Sequence, residues 1–187
     1  PTLERVWVAT GTYPDQYCLN TVEGQLLADG IANGIDVYIE GGDAWGFCAQ
    51  TPFADYDGIG LGVADGDDSL LDLIGGSYAT LDLTGMDAAY NQDQAASDWT
   101  DRLVTADPLT PDLAGASSGS IWVQSGIGYS TGNFYETDDP FGEVIAQSWE
   151  FGGYSGEQGI LMGLYLDALG ASSGPPPELF RRGDVTG

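Results

Sequence analysis

Val6-Trp7-Val8-Ala9-Thr10, then Asn20-Thr21-Val22-Glu23, then Ile35-Asp36-Val37-Tyr38-Ile39-Glu40 read as strand, helix start and strand. The first is a short apolar run rich in β-formers that stops at Gly11, the mark of a buried strand. The second is a capping-box variant, with Asn20 as N-cap and Glu23 at the third helical position. Behind it Val22, Leu26, Leu27 and Ile31 recur at helical spacing and predict one apolar face turned to the core. Gly34 follows as a helix-ending residue. The third run is a second strand, ended by Gly41-Gly42. This order makes a βαβ unit, whose strands are expected to be parallel with a right-handed crossover.

Outward from this unit the chain changes character. Residues 43–76 are irregular and rich in Gly and Asp, and Tyr78 to Leu83 alternates as a strand would. Residues 87–101 are polar and read as a short helix or a long loop. Ser120–Gln124, Gly132–Glu136 and Val144–Phe151 are three strands separated by turn residues, a meander. Glu157 to Leu169 carries apolar side chains at Ile160, Leu161, Leu164, Tyr165 and Ala168 and reads as a final helix ending at Gly170. Ser172-Ser173-Gly174-Pro175-Pro176-Pro177 is a linker by composition. Residues 1–170 are therefore one expected domain, and 171–187 a linker and tail.

Composition narrows the function classes. The 187 residues include 29 acidic and 4 basic ones, a formal charge of −25, with no His. The four cations are Arg5, Arg102, Arg181 and Arg182, and Lys is absent. Such a surface repels phosphate backbones, so nucleic acid is excluded as a partner. No apolar run reaches the roughly 18–20 residues that cross a bilayer, and the start lacks the pattern of a signal peptide. Without His there is no Ser-His-Asp triad, no Cys-His dyad and no imidazole metal site. Without Lys there is no Schiff base. What remains is a carboxylate pair, a Cys without a His partner, or no catalysis. The acidity points to a salty or calcium-rich setting outside the cell.

Three groups of residues carry the chemical possibilities. In a parallel sheet, ligands gather beyond the carboxyl ends of the strands. Glu40 and Asp43 follow the second strand, and Glu150 joins them if the Val144–Phe151 strand runs parallel. They form an acidic pocket fit for acid–base work, or they brace the Gly-Gly turns by accepting backbone N–H groups. Asp55, Asp57, Asp65 and Asp67 lie in acidic loops with alternating oxygen ligands, a pattern that suits Ca²⁺. The same loops read equally as a solvated face. Trp45 and Tyr56 beside them could stack on sugar rings, or sit in the core. Cys18 and Cys48 each lie just past the carboxyl end of a strand, so both loops emerge on one edge and a disulfide fits; two buried thiols are the alternative.

The run Glu23 to Trp45, containing Val37-Tyr38-Ile39-Glu40-Gly41-Gly42-Asp43, and the run Ile145-Ala146-Gln147-Ser148-Trp149-Glu150-Phe151-Gly152-Gly153 resemble segments of secreted bacterial multidomain proteins. Leu161 to Gly170 is similar to their closing helix. The module so resembled is a flavodoxin-like domain of the class I glutamine amidotransferase type. The resemblance implies an α/β, flavodoxin-like three-layer sandwich with a mostly parallel sheet and a C-terminal β-meander. It also implies where a nucleophile and base would stand. Those positions hold Gly41, Gly42 and Asp43 in place of the Cys, and Ser148 or Trp149 in place of the His. Phe180 to Gly187 resembles the opening of a dockerin-type calcium repeat, with Asp184 as first ligand.

The expectation from these readings is a non-catalytic, extracellular structural or adhesive module without a cofactor, Ca²⁺ apart. It acts through contacts with other protein subunits, as a homo-oligomer, a polymer or a partner complex, without membrane insertion. Two alternatives stand beside it: a carboxylate-dependent hydrolase using Glu40 or Asp43 with Glu150, and a calcium-dependent carbohydrate-binding module.

Overall fold

Asn20 opens the first helix as its residue type predicts. Its side-chain oxygen accepts from the N–H groups of Val22 and Glu23, and Glu23 accepts in return from the N–H of Asn20 at 2.9 Å. The helix closes where Gly34 adopts φ +82°, a left-handed conformation that glycine takes without strain. A computed structural model describes residues 3–11, 15–42, 44–55, 72–90, 103, 117–124, 130–137 and 140–170. Its strands are β1 (Arg5–Ala9), β2 (Asp36–Glu40), β3 (Asp72–Gly75), β4 (Ser77–Tyr78), β5 (Leu81–Asp82), β6 (Ala88–Ala89), β7 (Ser117–Gln124), β8 (Ser130–Glu136) and β9 (Val144–Gln147). Its helices are α1 (Thr21–Ala32) and α2 (Gln158–Ala168).

Seven strands form one sheet in the order β1-β2-β9-β8-β7-β3-β6, and β4 and β5 form a separate hairpin. β1, β2 and β9 run parallel, while β9-β8, β8-β7, β7-β3 and β3-β6 are antiparallel pairs. The β1-α1-β2 unit and the β7-β8-β9 meander stand where the sequence places them, except that the last strand, expected to Phe151, ends at Gln147 and Phe151–Gly153 is a 3-10 turn. The fold class does not. The sheet is mixed and curled, with two described helices, and it is not a mostly parallel flavodoxin-like three-layer sandwich. The reason lies in the connections. A parallel pair needs a crossover, usually a helix, and among the described residues α1 joins one such pair. β7, β8 and β9 follow one another in sequence with too few residues between them for a crossover helix, so they pair antiparallel. Tyr78 to Leu83, expected as one strand, is the β4–β5 hairpin, with Ala79 at φ 52° in its turn.

The period-two alternation of β2, β8 and β9 divides the core between the two faces of the sheet. Val37, Ile39, Val144, Ala146 and Tyr135 face Ile31 of α1. Tyr38, Ile145, Phe134 and Trp122 face Leu161, Tyr165 and Ala168 of α2. The buried face of α1 differs from the expected one. Gly24, Ala28 and Ile31 are its buried residues, whereas Val22 and Leu26 are 69% and 66% exposed. Gly24 sets this rotation, because a Cβ there would lie 2.1 Å from Thr51 Oγ1. The helix therefore turns its glycine, and not Val22, against the turn at Pro52–Asp55.

Candidate functional site

The carboxyl ends of β1, β2 and β9 meet at one corner, as parallel strands must. Their backbones are stitched together there: Gly41 N–H donates to Gln147 O at 3.1 Å and Gly42 N–H to Gly11 O at 3.1 Å. The Thr10 hydroxyl donates to Glu40 O at 2.9 Å. A Cβ on Gly41 would fall 1.7 Å from Thr10 Oγ1, so the side chain that would stand at this turn has no room.

Glu40 is the carboxylate at this corner, and it is mostly buried. Its Oε2 accepts from the Tyr38 hydroxyl at 2.5 Å and from Phe151 N–H at 2.9 Å. Burial pushes the Glu40 carboxyl above the usual carboxylate range; the two donors pull it back, and the charge of Glu150 adds a smaller push upward. Burial first, and then the charge of Glu40, holds the Tyr38 hydroxyl well above its ordinary value. Glu150 joins the corner through its backbone, whose N–H donates to the Tyr90 hydroxyl at 3.2 Å. Asp43 lies outside the described residues.

Behind the corner is a buried polar chain that sequence reading did not find. Trp122 Nε1–H donates to the Tyr165 hydroxyl at 2.6 Å, Tyr165 donates to Gln147 Oε1 at 2.8 Å, and Gln147 Nε2 donates to Trp149 O at 3.1 Å. Trp122, Trp149, Tyr154 and Tyr90 pack edge to face around it, with ring centroids 5.4 Å apart for Trp122 and Trp149 and 5.9 Å for Tyr90 and Trp149. Such contacts add specific aromatic stabilisation to area burial. No local signal in the sequence marks these residues as partners, because they come from β7, β9 and α2. The aromatic cluster occupies the α2 side of the corner. On the α1 side a cavity of about 40 Å³ lies between Thr10, Leu19, Trp45, Cys48, Thr51 and Phe53. It has room for a few water molecules, far below the roughly 300 Å³ of a small-molecule pocket.

Beside the cavity, Cys18 and Cys48 form a disulfide with Cα atoms 5.4 Å apart. Their neighbours Tyr17 and Phe47 are 53% and 65% exposed. The Tyr17 hydroxyl donates to Glu23 Oε1 at 2.6 Å, which ties this loop to the first turn of α1, where Val22 stands. Tyr17, Phe47, Val22 and Leu26 thus belong to three segments tied to one another by the Cys18–Cys48 bond, the Tyr17–Glu23 hydrogen bond and the close approach of Gly24 to Thr51.

The expected calcium ligands Asp57, Asp65 and Asp67 lie outside the described residues, as do Tyr56 and the side chain of Asp55. Among the described residues no group of three or more His, Cys, Asp or Glu side chains could hold a metal ion. Of the two readings of Trp45, sugar stacking or a place in the core, the structure shows the second: it is 7% exposed and packs in the core. No described helix is long and apolar enough to cross a membrane.

No family model and no curated protein matches the chain. In structure it is similar to the solved "mmIFT52 N-terminal domain", with a TM-score of 0.57 and 12% identity over 90% of this chain and 78% of that one. At that identity the likeness shows the fold alone. It corrects the family resemblance: the segments around Glu40 and Glu150 are not those of a flavodoxin-like amidotransferase domain, and nothing matches a dockerin repeat at Phe180 to Gly187, a segment outside the described residues. A strand–helix–strand run with Gly-Gly after the second strand is common to many mixed sheets, so short local motifs overstated the relation.

Proposed function

We propose that this chain is a protein-binding domain of a multi-subunit assembly, with no catalysis of its own. The observation that carries this reading is the corner bearing Tyr17, Val22, Leu26 and Phe47. Large apolar side chains presented on a braced framework mark contact surfaces, because little ordering entropy remains to be lost when a partner docks. The surrounding charge of −25 steers partners with a basic rim toward it. The absence of chemistry is supported at Glu40, whose carboxylate is engaged by Tyr38 and Phe151, and at Gly41, where no nucleophile fits.

The setting of that assembly is corrected from the extracellular, adhesive one expected above. The similar solved domain carries the name of IFT52, an intraflagellar transport protein. Carried to this chain as a proposal, the likeness favours a partner-binding role in an intracellular complex. A photo-crosslinking residue placed at Phe47 tests the surface in the cells that make the protein. The expected result is one discrete crosslinked species, lost in a Val22→Ser/Leu26→Ser variant of unchanged Tm. Equal crosslinking from Ile160 on α2, also exposed, would overturn the reading.

A further inference from the structure

The geometry points to a second binding site, at the edge of β1 that no described strand covers, which takes up an extended cationic segment of a partner protein as an added strand. The ladder itself shows which groups are available. Asp36 N–H donates to Glu4 O at 3.0 Å, and Thr10 N–H donates to Glu40 O at 2.8 Å. With Arg5 opposite Asp36 and Ala9 opposite Glu40 in an unbroken parallel register, Glu4 O, the N–H and C=O groups of Val6 and Val8, and Thr10 N–H turn toward β2, while Thr10 O accepts from Tyr17 N–H at 2.6 Å. The N–H and C=O groups of Arg5, Trp7 and Ala9 turn the other way, and among the described residues no strand pairs with them.

Sheets normally blunt such an edge with a very short strand, a proline, a bulge or an inward charge. The opposite edge, β6, is two residues long. β1 is five residues, Arg-Val-Trp-Val-Ala, without proline or bulge. Its one charge is already committed, since Arg5 Nε donates to Leu169 O at 3.0 Å and lies 3.5 Å from Asp36 Oδ2. Trp7 stands at the centre, 41% exposed, its ring held against Tyr38 at a centroid distance of 4.5 Å. The edge therefore offers three outward donor–acceptor residues and a fixed aromatic shelf, the requirements of strand addition.

Charge selects the occupant. A second copy would bring another −25 to the edge and is repelled. With Arg5 neutralised by Asp36, exposed Glu4 leaves the strand start negative, so alternating apolar and basic residues fit. The apolar ones lie on Trp7, and the basic ones answer the surrounding field.

The test uses the full chain and four peptides: an alternating Lys-Val hexapeptide, the same peptide N-methylated on one edge or on the other, and a Glu-Val counterpart. The expected result is saturable binding read by titration calorimetry, with at least about tenfold slower hydrogen exchange at the amides of Arg5, Trp7 and Ala9. One methylated peptide loses binding and the other keeps it. Ala9→Pro, which removes an outward donor and no ladder bond, is expected to weaken binding at least about tenfold. Equal binding of both methylated peptides, binding of a Glu-Val peptide, or protection of the three amides by self-association would each overturn the proposal. Should Ala9→Pro not fold, the methylated pair decides alone. Leu26→Ser and Phe47→Ser leave this binding unchanged, so failure at the disulfide corner and failure at the edge are told apart.

Discussion

Arg5 Nε donates to the carbonyl oxygen of Leu169 at 3.0 Å, joining the first strand of the sheet to the C-cap of the last helix. Gly170 follows at φ +63°, so the helix ends as the cation arrives. A guanidinium at a helix C-terminus satisfies an orphan carbonyl and complements the helix dipole. The same group also faces Asp36. Arg5→Ala is expected to lower unfolding free energy by about 1–2 kcal/mol, the range of a partly exposed charged hydrogen bond. Urea unfolding with an unchanged m-value checks this; no change in midpoint would show that solvent replaces the contact.

Tyr165 stands between two buried partners, accepting from Trp122 and donating to Gln147. Tyr165→Phe keeps the ring and leaves an indole N–H and an amide oxygen unsatisfied. A loss of about 2–4 kcal/mol is expected. Trp122→Phe in the same background should cost less than it does alone, and a double-mutant cycle reads the difference.

Glu143 gives the protein a pH dependence. Burial, then the charges of Asp36 and Glu136, pushes its carboxyl up to about 7 from the ordinary 4.5. Below about pH 4.5 both folded and unfolded chains hold this proton, and the stabilisation is fully present. It is lost as pH rises through about 7, where the folded protein gives up the proton into unfavourable surroundings. Asp36 and Glu40, also raised, act in the same direction. Tm is therefore expected to rise as pH is lowered from 8 to 5, with a smaller rise in Glu143→Gln. Identical slopes in the two proteins would assign the dependence elsewhere.

The disulfide closes a loop with a sequence separation of 30. Loop-closure entropy predicts that Cys18→Ser/Cys48→Ser loses about 3–4 kcal/mol. Thermal unfolding with and without reductant measures it, and the double variant should be indifferent to reductant.

Local signals in the sequence marked the elements well. Asn20 and Glu23 marked the start of α1, Gly34 its end, Gly170 the end of α2, and runs of strand-forming residues between glycine-rich turns marked β2, β8 and β9. What these signals do not encode is pairing direction. β3 and β6 are four and two residues long, too short for periodicity, yet they extend the antiparallel half of the sheet and change its class. The face of α1 was misread because the pattern weighs Val22 and Leu26 by hydrophobicity, whereas packing against Thr51 selected Gly24 for its lack of a side chain. At Glu40 both readings, acid–base work and bracing of a turn, were open from the sequence. The Phe151 N–H bond places it in a brace, and the Tyr38 bond had no sequence signal beyond two-residue spacing.

The placement of β9 between β2 and β8 has a consequence for synthesis on the ribosome. β2 is finished at Glu40, but the strand that must lie against it begins at Val144. Until that residue has emerged, the nascent β1–α1–β2 unit carries Val37 and Ile39 with one flank unpaired, inviting mispairing with other chains. The parallel half thus matures only once Val144–Gln147 has been synthesised, and until then Asp36–Glu40 stays open to mispairing.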